Sequence, residues 1–285
     1  MMGLEDWVKD KGEAIVSLIL FPLGVNKLIR ESLYFIYNGV RSEDLGLINV
    51  NLNSGLINEP FYGKRQVIKE RIRWNPRSYL IDIEEEPLTF SVSFAFKDGF
   101  TEEQAREVAR VLFLKNYAPL QFSSNLNKIY YGIFIGDAEL VHNGAQEGYL
   151  ELQFECNAPY AFTPVYTSSI YDYSNNSESG TEYIFTNIGD LPTKPQIIVE
   201  VVDGDSFSIV NNTNRGQKLE FTDLAKGEIL TIDCEAESIE SSLPGIYRYD
   251  NMSEDSEFLE MVRGNNYLLI SGKVKIQWKW QSPLF

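Results

Sequence analysis

The sequence predicts a mainly β protein with one α-helix, and three observations predict it. The 285 residues include 16 Tyr and 17 Phe against four Met, and aromatic and β-branched side chains fit the pleated surface of a sheet. Residues 88–96 alternate strictly, with Leu88, Phe90, Val92, Phe94 and Phe96 on one face and Thr, Ser and Ala on the other. Apolar residues recur at strong helical spacing in one segment, the one that starts at Thr101.

The elements follow in chain order. Leu33–Tyr37 reads as a strand, and Asn38-Gly39 as the turn that ends it. Leu45–Ile57 is punctuated by Gly46, Asn49, Asn51, Asn53 and Gly55, so it reads as short strands or loop. Val67, Ile68 and Ile72 give the next stretch partial strand character. After strand 88–96, Asp98-Gly99 marks a stop. Thr101 is placed as an N-cap with Gln104 three residues on, a capping box, and Ala105, Val108, Ala109 and Leu112 form the apolar stripe. Strands follow at 121–122, 129–135 and 149–156, and Asn157-Ala158-Pro159-Tyr160 breaks the pattern. A domain boundary is placed there.

The second half predicts a β-sandwich. Its strands are 183–187, 196–202, 206–211, 218–221, 229–234, 267–271 and 273–280, spaced by polar turns. Asp203-Gly204-Asp205 resembles the start of a calcium loop but lacks the other ligands, and a hairpin turn is expected there. The last strand sets Val274, Ile276, Trp278 and Trp280 against Lys273, Lys275, Gln277 and Lys279.

Charge narrows the function. There are 25 basic and 41 acidic residues, a net charge of −16. Nucleic-acid binders gain affinity by neutralising phosphates, so specific nucleic-acid binding is not expected. The balance suits a soluble protein, or one lining a passage that DNA crosses without sticking. Against this background Lys64, Arg65, Lys69, Arg71, Arg73 and Arg77 stand out as a local basic stretch. In so acidic a chain they are expected to dock on an acidic partner or a neighbouring subunit.

Catalytic constellations are sparse. One His (His142) and two distant Cys (Cys156 and Cys234) argue against a zinc site, His-based catalysis or a disulfide. Glu84-Glu85-Glu86 is the densest acidic run, and such runs are usually solvated. No phosphate-cradling glycine loop or nucleophile elbow occurs, so no cofactor and no enzyme activity are expected. Trp278 and Trp280 could form a sugar platform, though core packing is the commoner fate of such a pair. Residues 15–23 are nearly all apolar, but the run is too short to span a bilayer, and acids precede it where a signal peptide carries cations. Residues 1–29 are therefore read as an extension, dispensable for folding, with no membrane insertion.

The order of these pieces resembles the distal tail (Dit) proteins of siphophages that infect Gram-positive bacteria. The likeness runs through Phe35-Ile36-Tyr37-Asn38-Gly39 to Leu45-Gly46-Leu47, strand 88–96, helix 101–114 and Asn157-Ala158-Pro159-Tyr160-Ala161. It continues through Asn187-Ile188-Gly189-Asp190, Gly227-Glu228-x-Leu230-x-Ile232-Asp233 and Gly264-Asn265-Asn266-Tyr267. The resemblance implies a ring-forming domain over 30–160 and a galectin-like β-sandwich over 161–285. It implies a structural, non-enzymatic protein of the virion tail tip, assembled in the bacterial host cytoplasm. The expected partners are five further copies in a hexamer, the tail tube protein, the tail-associated lysin or fibre hub, and the receptor-binding protein. The competing reading is a carbohydrate-binding sandwich of a tail tip; a glycosidase ranks last.

Overall fold

The computed structural model describes residues 32–50, 62–136, 140–142 and 147–285. The extension 1–29 and the segment 51–57 lie outside them. The mainly β expectation holds, with a single α-helix among the described residues.

The first part of the chain forms β1 (Phe35–Tyr37), β2 (Val40–Arg41), β3 (Leu47–Asn49), β4 (Arg65–Glu70), β5 (Tyr79–Glu85) and β6 (Thr89–Phe96). Helix α1 (Glu102–Leu112) follows, then β7 (Ala118–Phe122), β8 (Asn125–Ile135), β9 (Val141–His142), β10 (Gly148–Cys156) and β11 (Ala161–Phe162). Antiparallel pairing orders the main sheet β2-β1-β7-β8-β10-β6-β3.

The alternation in β6 sets its register against β10. Phe90 lies opposite Phe154 and Val92 opposite Leu152, and all four are buried. Tyr37, Phe134 and Phe154 then stack edge to face, with centroids 5.1 and 5.0 Å apart. This aromatic cluster dictates a glycine beside it. A Cβ on Gly132 would stand 2.3 Å from the Glu155 carbonyl oxygen and 2.6 Å from the Phe154 ring. The Gly132 carbonyl in turn accepts the Tyr37 hydroxyl at 3.3 Å.

Helix α1 closes this core with Val108 and Leu112, each contributing about 2 kcal/mol of apolar burial. Thr101 caps it, its Oγ1 accepting the Gln104 N–H at 3.2 Å. The other half of the expected capping box is absent. Gln104 donates instead to the Leu45 carbonyl at 3.0 Å, tying the helix to the turn before β3. Thr101→Ala is expected to cost about 1 kcal/mol, read as a lower urea midpoint with an unchanged slope. An unchanged midpoint would mean that the Gln104 tether alone fixes the helix start.

The second part comprises β12 (Tyr166–Thr167), β13 (Tyr171–Asp172), β14 (Thr181–Asn187), β15 (Gln196–Asn211), β16 (Gln217–Phe221), β17 (Ile229–Asp233), β18 (Ser238–Ser241), β19 (Gly264–Trp280) and β20 (Pro283–Leu284). Here two expectations are corrected. Residues 196–202 and 206–211 are one bent strand, and so are 267–271 and 273–280. The first half of β15 pairs with β17, the second half with β16, and both halves pair with β19. Asp203-Gly204-Asp205 is therefore a corner and not a hairpin turn. The register against β19 shifts on either side of Asp203, and Gly204 has φ +84°. Opposite it, Gly272 has φ +96°, and a Cβ there would meet the Ser206 carbonyl at 2.7 Å. The Asp203 carboxylate is paired with Lys273 at 2.9 Å and Lys226 at 3.3 Å.

A second aromatic and aliphatic core fills the folded sheet, with Trp278 stacked on Tyr183 at 5.8 Å. One carboxylate is buried beside it. Glu228 receives two bonds from Arg248, at 2.8 and 2.7 Å, one from the Ser241 hydroxyl at 2.6 Å and one from the Ala225 N–H at 2.9 Å. Burial alone would raise its pKa, but these donors together hold it below the ordinary carboxylate value.

After β19 the chain leaves the second core. β20 pairs with β11, which also pairs with β8, so residues 283–284 extend the first sheet.

Candidate functional site

The basic stretch lies on a two-stranded antiparallel arm. β4 pairs with β5, Arg65 opposite Glu85 and Glu70 opposite Tyr79, and neither strand joins another sheet. The base is fixed. Gly63 N donates to the Pro159 carbonyl at 3.0 Å, and Glu86 N to the Lys64 carbonyl at 2.8 Å. A Cβ on Gly63 would stand 2.1 Å from the Glu86 carbonyl oxygen, so the base admits only glycine there. Tyr62 donates to the Glu85 carboxylate at 2.6 Å, and burial, then that bond, push its phenol up to about 12.

The predicted cations divide into two sets. Lys64 and Arg65 sit at the base, paired with Glu86 at 2.8 Å and Glu85 at 3.1 Å. Glu85 and Glu86 of the acidic run are thus taken up by the arm itself. Lys69, Arg71, Arg73 and Arg77 lie towards the tip and form no ion pair among the described residues. Arg71 Nε donates to the Asn75 carbonyl at 3.1 Å, and the Arg73 guanidinium lies 5.3 Å from the centre of the Trp74 ring.

Charge alone understates the arm. Trp74 is 90 % exposed, Leu80 62 %, Ile81 61 %, and Ile72, Val67 and Tyr79 are exposed with them. Leu80 alternates with Tyr79 and Ile81, so apolar side chains leave both faces of the ribbon. Trp74 has φ +75°, a left-handed conformation that costs a bulky residue energy. Hydrogen bonds from Asn75 Nδ2 to the Tyr79 hydroxyl, 3.1 Å, and from Arg77 N to Asn75 Oδ1, 3.0 Å, hold the tip in this shape. A two-stranded ribbon without a core is marginal by itself in water. Apolar surface this concentrated is of the kind that contacts between chains commonly cover. Sequence reasoning found the cations but missed Trp74, Tyr79, Leu80 and Ile81; the Asn75-Pro76 step after Val67, Ile68 and Ile72 was the available hairpin signal.

The other candidates carry less. Trp278 is 0 % exposed and belongs to the core, so the sugar platform does not form. Trp280 packs against Phe185 at 4.8 Å and Tyr166 at 5.6 Å. Both cysteines are free and buried, and burial pushes each thiol up to about 12, far from a reactive thiolate. His142 lies in β9, with its ring 5.8 Å from that of Phe100.

Comparison with known proteins places this architecture. Residues 30–158 match a family described as a phage tail protein N-terminal domain. Residues 188–282 match the siphovirus-type tail component, C-terminal domain. The SPbeta prophage-derived protein YomH of Bacillus subtilis (strain 168) is 31% identical over 255 residues, covering 89% of this chain and 98% of YomH. The chain belongs to the siphophage Dit family. The crystal structure of the SPP1 Dit protein shares the fold, with a TM-score of 0.65 at 14% identity, over 87% of this chain and 98% of that one. A chain of the phage P2 baseplate in its activated conformation also matches, with a TM-score of 0.49 at 6% identity over 87% of this chain and 97% of that chain. By its family, this Dit protein is a structural component of a phage tail.

Proposed function

We propose that this Dit protein assembles as a hexameric ring that joins the tail tube to the baseplate, and that the β4–β5 arm makes the contact between neighbours. Residues 30–160 carry the ring surface. Residues 161–285 project outward and, with the ring, anchor the tail-associated lysin and the receptor-binding apparatus. The observation that carries the reading is the arm. It combines uncovered apolar side chains with Lys69, Arg71, Arg73 and Arg77 in a chain of net charge −16. Such an arm is complementary to the surface of another copy of the same chain. Apolar cover supplies the affinity, and opposite charge sets register and encounter rate.

The test is mass in solution. Light scattering of the purified protein is expected to give six copies. Arg71→Glu with Arg73→Glu weakens assembly most at low salt, where screening is least. A monomer at every concentration, or assembly indifferent to these reversals, would sink the arm as a ring contact. Binding of short DNA by the unaltered protein would revive the nucleic-acid reading of the same stretch.

A further inference from the structure

The motif Asn187-Ile188-Gly189-Asp190 plays no part in the ring reading, and the structure gives it a different task. It cradles residues 281–285 after they leave the second core. Asp190 N donates to the Pro283 carbonyl at 2.9 Å, and Phe285 N donates to Asp190 Oδ2 at 3.0 Å. A Cβ on Gly189 would stand 2.5 Å from Ser282 Cβ and 2.6 Å from the Pro283 oxygen, so only glycine lets the two segments meet. Asn187 is buried and shapes the loop. Its Oδ1 accepts the Gly189 N–H at 2.9 Å, and its Nδ2 donates to the Leu191 and Met261 carbonyls at 2.9 and 3.1 Å.

The same five residues are gripped from the other side by β8, by Thr163 just after β11, and by Tyr62. Gln281 Nε2 donates to the Tyr131 hydroxyl and to the Thr163 carbonyl, both at 2.9 Å. Ser282, fully buried, exchanges two bonds of 2.9 Å with Thr163, one through the Thr163 N–H and one through its hydroxyl. Lys128 Nζ donates to the Phe285 carbonyl oxygen at 2.8 Å, and the Phe285 ring meets Tyr62 edge to face at 5.3 Å. Residues 161–167 and 279–284 thus cross between the two cores as one antiparallel ribbon.

We propose that residues 281–285 and the Asn187–Asp190 loop form a clasp that fixes the tilt of the second core against the first, and that opening it turns residues 162–166 into a hinge. The reason is mechanical. With the clasp removed, a single covalent strand containing Pro164 remains between bodies that each keep a complete core, and such bodies move unless an interface holds them. The inference concerns one chain and does not rest on the ring reading.

The experiment measures the tilt directly. Spin labels are placed at exposed positions on the two bodies, through Thr89→Cys on β6 and Glu240→Cys on β18, while Cys156 and Cys234 stay buried. Labelled chain is diluted into an excess of unlabelled chain, and the distance distribution is recorded by pulsed electron resonance. The clasped chain is expected to give one narrow distribution. Gly189→Val with Asp190→Ala, or a chain ending at Trp280, is expected to widen it by about twofold or more. Circular dichroism then confirms that both sheets persist. A folded variant with the original narrow distribution overturns the proposal. If the milder Asp190→Asn already unfolds either sheet, the segment is core and not clasp, and the proposal also fails.

Discussion

Replacing residues 67–83 by a tight turn should abolish the proposed hexamer and leave a monomer whose fold is intact. β4 and β5 pair only with each other, and no side chain of the arm's outer part belongs to either core. Surface changes outside a core usually alter stability by about 0.5 kcal/mol or less. Assembly is another matter. Trp74, Leu80 and Ile81 are the arm's most exposed apolar side chains, and buried aromatic anchors commonly dominate an interface. Light scattering and melting of the shortened chain separate the two effects. An oligomer of full size would show that the ring is built without the arm. A large fall in melting temperature would show that the arm braces its own chain.

Arg248→Ala should be among the most damaging single substitutions in the second core, at about 3 kcal/mol or more. It leaves the fully buried Glu228 carboxylate without its two strongest donors, and an orphaned buried charge costs far more than a lost surface pair. The pH dependence follows from the sign of the shift. Glu228 is held below the ordinary carboxylate value in the folded chain, so its stabilising share is complete above that value. That share is lost as the pH falls through the lower, folded value. The unaltered protein therefore weakens in acid, and Arg248→Ala should flatten this acid limb while lowering the plateau. Urea unfolding between the acid range and neutral pH measures both. A loss under about 1 kcal/mol at neutral pH would mean that the carboxylate rehydrates when its partner is removed.

What could be read from the sequence tracks how each segment is buried. Strand 88–96 was legible because one face meets the core and the other does not, and period-two alternation records that difference. Helix α1 was legible from its cap and stripe, although the partner of Gln104 could not be guessed, since Leu45 lies far away in the chain. The arm was half legible. Its cations stood out in an acidic chain, but a ribbon exposed on both faces carries no alternation, so β5 went unread and only its end, Glu84-Glu85, was seen as part of a solvated acidic run. The corners in β15 and β19 were misread because Asp-Gly and Ser-Gly steps stop most strands, and the strain they absorb appears only when the sheet folds over. Of the clasp, the Asn187–Asp190 motif stood out in the sequence, but the segment that it holds did not. β20 is a two-residue strand containing Pro283, and its meaning depends on a loop almost a hundred residues earlier.

The continuity of β15 and β19 through both faces of the second sheet has a consequence for fidelity of folding. A strand that slips by one residue turns its whole apolar set outward. In a sheet whose faces are built from separate strands, that error stays local. Here the strand that sets one face also sets the other, so a slip on either side would displace the partners of β16, β17 and β14 together. The bulges beside Asp203 and the glycine corner at Gly272 act as keys that fit one alignment. Each mispaired form is thus rejected twice over, once by each face, before a faulty subunit can enter a tail.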